Sequence, residues 1–318
     1  MNAADIKRKA RDLGFDRCGI APAADLPELT FFREWLARGY AGTMAYLQRT
    51  ADQRADVRRV LPTARSVIVT ATNYHTDRPY STECADPHRA QIARYAWGDD
   101  YHDVIGARLD ALVAWMRETA GAPFDARAYV DTGPVQERVY AQHAGIGWIG
   151  KNSCVIDPEI GSWIFLSVVI CSLPLEIDAP ALDRCGSCTL CLEACPTQAI
   201  VAPGVLDSNR CISYLTIELR GDVPEDLAPD VGSHVYGCDV CQEVCPWNAV
   251  APASGDPAWQ PRRAWDTVDL LTLARRTDDE LASALRRSAM RRTKAQGLRR
   301  NVAIALRNAE EAESRRRS

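Results

Sequence analysis

With 318 residues, the chain is long enough for one large domain and a smaller one around a substantial core. Its composition, 47% hydrophobic and 25% charged, is that of an ordinary globular protein and excludes bulk disorder. No apolar run reaches the length of a membrane span. The net charge of −4 hides an asymmetry, because residues 262–318 carry 15 Lys or Arg against 8 Asp or Glu.

The opening MNAADIKRKARDLG reads as an amphipathic helix without a hydrophobic leader, which predicts a cytoplasmic protein. RSVIVTATNY (65–74) is a β-branched run suited to a buried strand. HDVIGARLDALVAWMRETAG (102–121) has helical periodicity and a Gly stop. ARAYVDTG (126–133) predicts a strand running into a loop, and PVQERVYAQHAG (134–145) a helix opened by Pro and closed by Gly. CVIDPEIGSWIFLSVVICSL (154–173) predicts two strands around a turn at Asp157–Gly161. This mixture predicts a three-layer α/β (α+β) catalytic core over residues 1–178. From 179 to 250 periodicity collapses and cysteine takes over, as in a small ferredoxin-like module. APASGDPAWQP (251–261) reads as a linker. DTVDLLTLAR, DDELASALRR and LRRNVAIALRNAEE then predict a C-terminal helical, basic segment over 262–318.

Two motif matches carry little. Gly145-Ile-Gly147-Trp-Ile-Gly150 fits GxGxxG but follows a helix and leads toward a strand, the reverse of the dinucleotide-binding order. Its glycines are still suited to close packing against a flat or bulky ligand. Asp131-Thr132-Gly133 lacks the second such tripeptide that an aspartic protease needs. What remains is an Asp at a strand's end beside Glu137 and Arg138, a turn residue or a catalytic one.

The cysteines carry the strongest signal. Eight of the 12 lie between Cys185 and Cys245, at spacings that favour metal ligation over disulfides in a reducing compartment. Cys18, Cys84, Cys154 and Cys171 read as small buried hydrophobes. CGSCTLCLEACP (185–196) is a complete C-x₂-C-x₂-C-x₃-C-P, the bacterial iron–sulfur run. CDVCQEVCP (238–246) supplies only its last three cysteines, with Val235 in the first slot. In two-cluster ferredoxins the fourth cysteine of each run ligates the other cluster. One 4Fe–4S cluster is therefore expected on Cys185, Cys188, Cys191 and Cys245, and a second on Cys195, Cys211, Cys238 and Cys241. Cys211 is the displaced first ligand, and the 26 residues before Cys238 are expected to form a loop over the cluster. A ferredoxin needs far fewer residues than this chain, so an enzyme fed by two clusters is favoured over an electron carrier.

The run RRSAMRRTKAQGLRR (286–300) has 7 basic residues and no acidic one. It reads as a solvated helix face or as a contact for a polyanion, nucleic acid before membrane.

Several segments together resemble the epoxyqueuosine reductase family: YVDTGPVQERVYAQHAGIGWIGKN, RYAWGDDYH, CGSCTLCLEACPTQAI, CISYLTIE, YGCDVCQEVCPWN and RRNVAIALRN. They occur in order along most of the chain. The resemblance implies an oxidoreductase that reduces the epoxide of the modified wobble base in tRNA to a cyclopentene, giving queuosine. It implies cobalamin besides two 4Fe–4S clusters, and a fold related to the reductive dehalogenases. On this resemblance Asp131 is the proton donor to the departing oxygen. To be half protonated near pH 7 it needs a pKa raised by roughly 3 units, through burial under the corrin. Arg54, followed by Val57 where the family has Pro, falls at a cobalamin-contacting Arg; Lys151, Asn152, Ser213 and Asp239 are further cobalamin neighbours. Tyr101, His102 and Arg138 fall in substrate-contacting signatures, and Arg291, Arg292 and Lys294 are expected to meet tRNA phosphates. The partners expected are tRNA carrying epoxyqueuosine and an external electron donor of flavodoxin or ferredoxin type, or a chemical reductant; no membrane is involved and the chain is expected to be a monomer. Two other readings stay open: a corrinoid reductase or reductive dehalogenase-like enzyme, and a non-catalytic iron–sulfur electron carrier.

Overall fold

The computed structural model describes residues 1–317, the last through its backbone alone. Four strands form the central sheet, in the spatial order Arg17–Pro22, Ser66–Asn73, Ile164–Cys171, Ala126–Tyr129, each antiparallel to its neighbour. Every residue of Ser66–Asn73 is buried. Its Val67, Val69 and Ala71 pack with Val168, Ile170 and Tyr140 on one face. Ile68 packs with Val169, Ile105 and Leu109 on the other. Helices Ala3–Asp12 and Tyr101–Thr119 cover this second face, and Glu137–His143 covers the first. Burial on both faces is why this strand reads as a continuous β-branched run rather than an alternating one. The expected three layers are present.

Several local expectations fail for identifiable reasons. The two strands expected around Asp157–Gly161 are present and a bridge between those two residues closes the turn, but Val155–Ile156 pairs with Trp148–Ile149, because Ile164–Cys171 already has a neighbour on each side. The helix expected from Pro134 begins at Glu137, with Val135 sunk into the core and its carbonyl accepting from the Arg54 guanidinium at 3.0 Å. The glycines of 145–150 are spent on the protein itself: a Cβ on Gly147 would lie 2.3 Å from the Ile156 carbonyl oxygen. The 251–261 segment is strapped down rather than loose. Trp259 is buried against Phe165, and the Ser254 amide donates to the His75 carbonyl at 2.7 Å.

Residues 212–237 are likewise no loop draped over a cluster. They contain the helix Ile212–Ile217 and the strand His234–Tyr236, and Leu215, Val223, Leu227 and Val231 make a hydrophobic cluster of their own. Val235, in the slot of the missing cysteine, is fully buried in that strand, which runs parallel to Gln91–Ile92. A thiol there would be committed to the core.

The C-terminal helices Leu270–Arg275, Asp278–Leu285 and Lys294–Arg317 follow the predicted pattern. Leu273, Leu281, Leu298 and Val302 join the same core as Ile68 and Ile105. No helix among the described residues is long and apolar enough to cross a membrane. Asn301 clamps the long helix to the segment between the cysteine runs: its fully buried amide donates to the Thr216 and Val235 carbonyls, each at 2.8 Å. Asn301→Ala removes both bonds and strands a buried acceptor, an expected loss of about 2 kcal/mol. The urea midpoint should fall while iron content holds; an unaltered midpoint contradicts the clamp.

Candidate functional site

A cavity of about 350 Å³ opens between the sheet and the cysteine segments. Its wall on the sheet side includes Tyr74, Ile164, Phe165 and Leu166, and its other wall includes Cys195, Cys211, Ser213, Cys238, Asp239 and Cys241. Asp131, Glu137 and Arg138 also line it. A second, smaller cavity of about 40 Å³ is lined by Cys185, Cys188, Cys191 and Cys245 together with Lys151 and Trp247. The eight cysteines thus fall into two sets of four, each set drawing one member from the opposite run. Among the described residues no three His, Cys, Asp or Glu side chains converge tightly enough to hold a single metal ion; the thiols stand around hollows instead.

Chain geometry explains the sorting. The short helices Leu190–Glu193 and Val240–Glu243 pack on each other, which places the cysteine ending each run beside the other run. The Cys195 sulfur accepts from the Ala199 amide at 3.2 Å, and the Cys185 sulfur from the Trp148 indole at 3.4 Å. Burial pushes the Cys211, Cys238 and Cys241 thiols above the usual range, so these sulfurs keep their protons until a cation displaces them. Asn152 lines both cavities and donates to the Cys241 carbonyl at 3.1 Å. Lys151 does not reach the large cavity: its ammonium donates to the Gly186 and Cys188 carbonyls, at 2.7 and 2.9 Å.

Asp131 follows the edge strand Ala126–Tyr129 and sits at φ 57°, in the left-handed region that Asp tolerates better than most residues. The turn that puts it there aims its carboxylate at Tyr101, whose phenol donates to it at 2.8 Å. Tyr101 opens the helix Tyr101–Thr119, stacks on Phe165 at 4.5 Å between centroids and on His102 at 4.0 Å, and so is fixed from two sides. Burial, then the Asp131 charge, hold its hydroxyl proton in place. Asp131 itself is exposed, so the burial expected for it is not supplied by the protein alone.

His102 is held back from the cavity lining by Asp100, which is 2.7 Å from its Nδ1. Burial raises the Asp100 pKa, but bonds from His102 and the nearby Arg291 pull it below the ordinary range. Arg54 is not among the cavity's lining residues; its guanidinium donates to the Thr50 hydroxyl and the Val135 carbonyl. Arg138 donates to the Ser153 carbonyl at 2.9 Å. Asp239 is buried and accepts from the Arg94 amide at 2.6 Å; burial pushes its pKa up to about 7. Arg94 is itself buried among Tyr80, Trp97 and Trp163 and caps the carbonyls of Thr76, Arg78 and Pro79. This cation fastens the 76–80 segment and, through Asp239, the second cysteine run.

Of the basic run, Arg291 pairs with Asp100 at 3.6 Å and Arg292 makes two 2.8 Å bonds to Glu218. Both arginines are therefore engaged within the fold. Lys294 is exposed at the start of the long helix.

Sequence reasoning missed Tyr74 and Tyr95 as cavity residues and read Cys154, which also lines the cavity, only as a small hydrophobe. Tyr95 lies within RYAWGDDYH, the one signal that marked it.

Comparison with known proteins follows this geometry. Residues 54–132 match the family described as epoxyqueuosine reductase QueG, DUF1730, and residues 184–248 match a 4Fe-4S double cluster binding domain. An epoxyqueuosine reductase of Gloeobacter violaceus is 45% identical over 311 residues, 96% of this chain and 95% of that one. The fold superposes on a crystal structure of epoxyqueuosine reductase with an epoxyqueuosine-modified tRNA-Tyr stem loop, with TM-score 0.87, 30% identity, and coverage of 98% of this chain and 82% of that one. It also superposes on the Bacillus subtilis epoxyqueuosine reductase, whose catalytic aspartate loop is swung out of the active site, with TM-score 0.84, 29% identity and the same coverage. Identity of this degree through both the sheet and the cysteine runs shows that the chain belongs to the epoxyqueuosine reductase family.

Proposed function

We propose that this oxidoreductase reduces epoxyqueuosine to queuosine at the wobble position of tRNA, using cobalamin and two 4Fe–4S clusters. The observation that carries this reading is one cavity lined by Asp131 and by Cys195, Cys211, Cys238 and Cys241. An acid and the thiols of an electron source line one cavity, in a chain whose relatives bear this activity in their names. A bare electron carrier has no use for such an acid.

The residues present fit these groups. The smaller cavity's Cys185, Cys188, Cys191 and Cys245 are assigned to one cluster and the larger cavity's four cysteines to the other. The aromatic and aliphatic wall of Tyr74, Ile164, Phe165 and Leu166 suits a large flat macrocycle, and Asn152, Ser213 and Asp239 offer it polar edges. Arg54 supports it from outside the cavity lining and Lys151 from the side of the smaller cavity. When bound, cobalamin supplies a reduced cobalt nucleophile and the clusters supply single electrons.

The remaining chemistry falls to the chain. Reducing the epoxide to an alkene consumes two electrons and two protons and releases water. Asp131 delivers a proton to the oxygen that departs from carbon. Tyr101 orients it through the 2.8 Å bond, and the bound macrocycle and substrate complete the burial that the protein leaves open. Support for a working loop here comes from the Bacillus subtilis relative, whose catalytic aspartate loop has been seen swung out. Arg138 is placed to meet the substrate on the cavity rim, with the Tyr101–His102 stack behind it. Arg291, Arg292 and Lys294 offer tRNA phosphates a basic surface, the two exposed arginines held in place by Asp100 and Glu218. Electrons enter from an external flavodoxin- or ferredoxin-type donor.

Three outcomes follow. Protein reconstituted with iron, sulfide and cobalamin, then given reductant and epoxyqueuosine-containing tRNA, should yield queuosine on nucleoside mass analysis; unconverted epoxyqueuosine counts against the function. Asp131→Asn should keep its cobalt and iron yet slow turnover by about 10²- to 10⁴-fold, the usual worth of a general acid. Undiminished turnover removes Asp131 from that role. Lys294→Glu should weaken tRNA binding and flatten its salt dependence by about one unit of slope, with cluster spectra unchanged; equal affinity across a salt series excludes the phosphate contact.

A further inference from the structure

We propose that Glu137 is the proton reservoir that recharges Asp131 within the cavity. This inference rests on the function proposed above and extends it to the second proton of the reaction.

Glu137 opens the helix Glu137–His143, six positions after Asp131, and both side chains line the large cavity. Its Oε1 is buried and has no hydrogen-bond partner among the described residues. An ionised carboxylate left in that state loses its solvation without compensation, whereas a neutral carboxyl loses far less. The charged groups that act on it are Asp131 on the preceding loop, Arg138 on its own helix and Arg54 on the helix Ala51–Ala55. Tyr101 faces the pair as a neutral phenol bonded to Asp131. Burial, and then the Asp131 charge, outweigh the two arginines and push the Glu137 pKa up to about 8. At neutral pH Glu137 therefore carries a proton in the cavity that Asp131 also lines.

The balance of the reaction requires such a group. Two protons are consumed per epoxide, and Asp131 holds one at a time. After Asp131 has protonated the departing oxygen, the Glu137 O–H bond breaks and an Asp131 O–H bond forms. The negative charge moves to Glu137, where Arg54 and Arg138 act on it, and water restores the proton afterwards. The two electrons come from the clusters and, ultimately, from a flavodoxin- or ferredoxin-class reductant. Glu137 acts through Asp131 and is assigned no contact with the reacting atoms, so it is a positioning residue for protons rather than a catalytic one.

Glu137→Gln keeps the shape and removes the proton. The test uses the full-length, cluster-loaded protein in two measurements. In an infrared pH titration with ¹³C-labelled Glu, wild type should show one buried protonated carboxyl at pH 7 that fades near pH 8 and is missing from Glu137→Gln. No such band in wild type overturns the proposal whatever the activity, and that spectrum decides the matter if the variant fails to load clusters. In single-turnover kinetics, wild type should slow above about pH 8, the limb on which the reservoir is empty. Glu137→Gln should be at least 10-fold slower at pH 7 and lack that limb, with tRNA affinity unchanged and partial rescue in Glu137→Asp. A wild-type rate and profile in Glu137→Gln overturns the reservoir and leaves the proposed function standing. Turnover retained in Asp131→Asn strikes at that function's acid instead.

Discussion

The structure turns on the exchange of one cysteine between two runs, whose closing cysteines, Cys195 and Cys245, lie 50 residues apart. Cys195 leaves its own run to stand with Cys211, Cys238 and Cys241, and Cys245 leaves its run to stand with Cys185, Cys188 and Cys191. That exchange requires the helices Leu190–Glu193 and Val240–Glu243 to pack directly on each other. It also separates the two sets: an inner one, Cys195, Cys211, Cys238 and Cys241, shares the large cavity with Asp131, and an outer one, Cys185, Cys188, Cys191 and Cys245, lines the smaller cavity. Under the proposed assignment, electrons entering at the outer cluster need travel only to the inner one to reach the acid.

The rest of the fold holds this arrangement in register. Arg94, a cation buried among three aromatic rings, bonds the 76–80 turn with its guanidinium and Asp239 with its amide. Asn301 reaches from the long C-terminal helix to the other side of the second run, at Thr216 and Val235. A buried charge is costly unless its hydrogen bonds are met. Four carbonyls or hydroxyls meet the two terminal nitrogens of Arg94, which fixes the residue as a node, while its buried Nε finds no partner among the described residues.

How much was legible from the sequence follows from the range of each interaction. The strand Ser66–Asn73 and the helices announced themselves through local periodicity. The two cysteine sets were legible because run spacing and the ferredoxin exchange rule are compact signals. Partner choice was not. Ile164–Cys171 pairs across the sheet rather than with Val155–Ile156, and nothing local distinguishes those outcomes. Residues 212–237 read as a loop because their apolar positions serve a small separate cluster instead of a long periodic face. Arg291 and Arg292 are the surface charges they read as, but their partners Asp100 and Glu218 were not legible, being more than 70 residues distant in sequence. The exposure of Asp131 and the burial of Glu137's carboxyl oxygen, six residues apart, are tertiary facts that no spacing encodes.

The central claim is that two clusters are held by exchanged ligands and that the inner one completes itself with Cys211. Iron and sulfide analysis of anaerobically purified protein, with electron paramagnetic resonance of wild type and Cys211→Ser, tests it most directly. The account predicts about eight irons per wild-type chain, two 4Fe–4S clusters' worth, and in the variant a loss confined to one cluster while the other keeps its spectrum. About four irons in wild type, or a Cys211→Ser variant with unchanged iron and unchanged spectra, would contradict it.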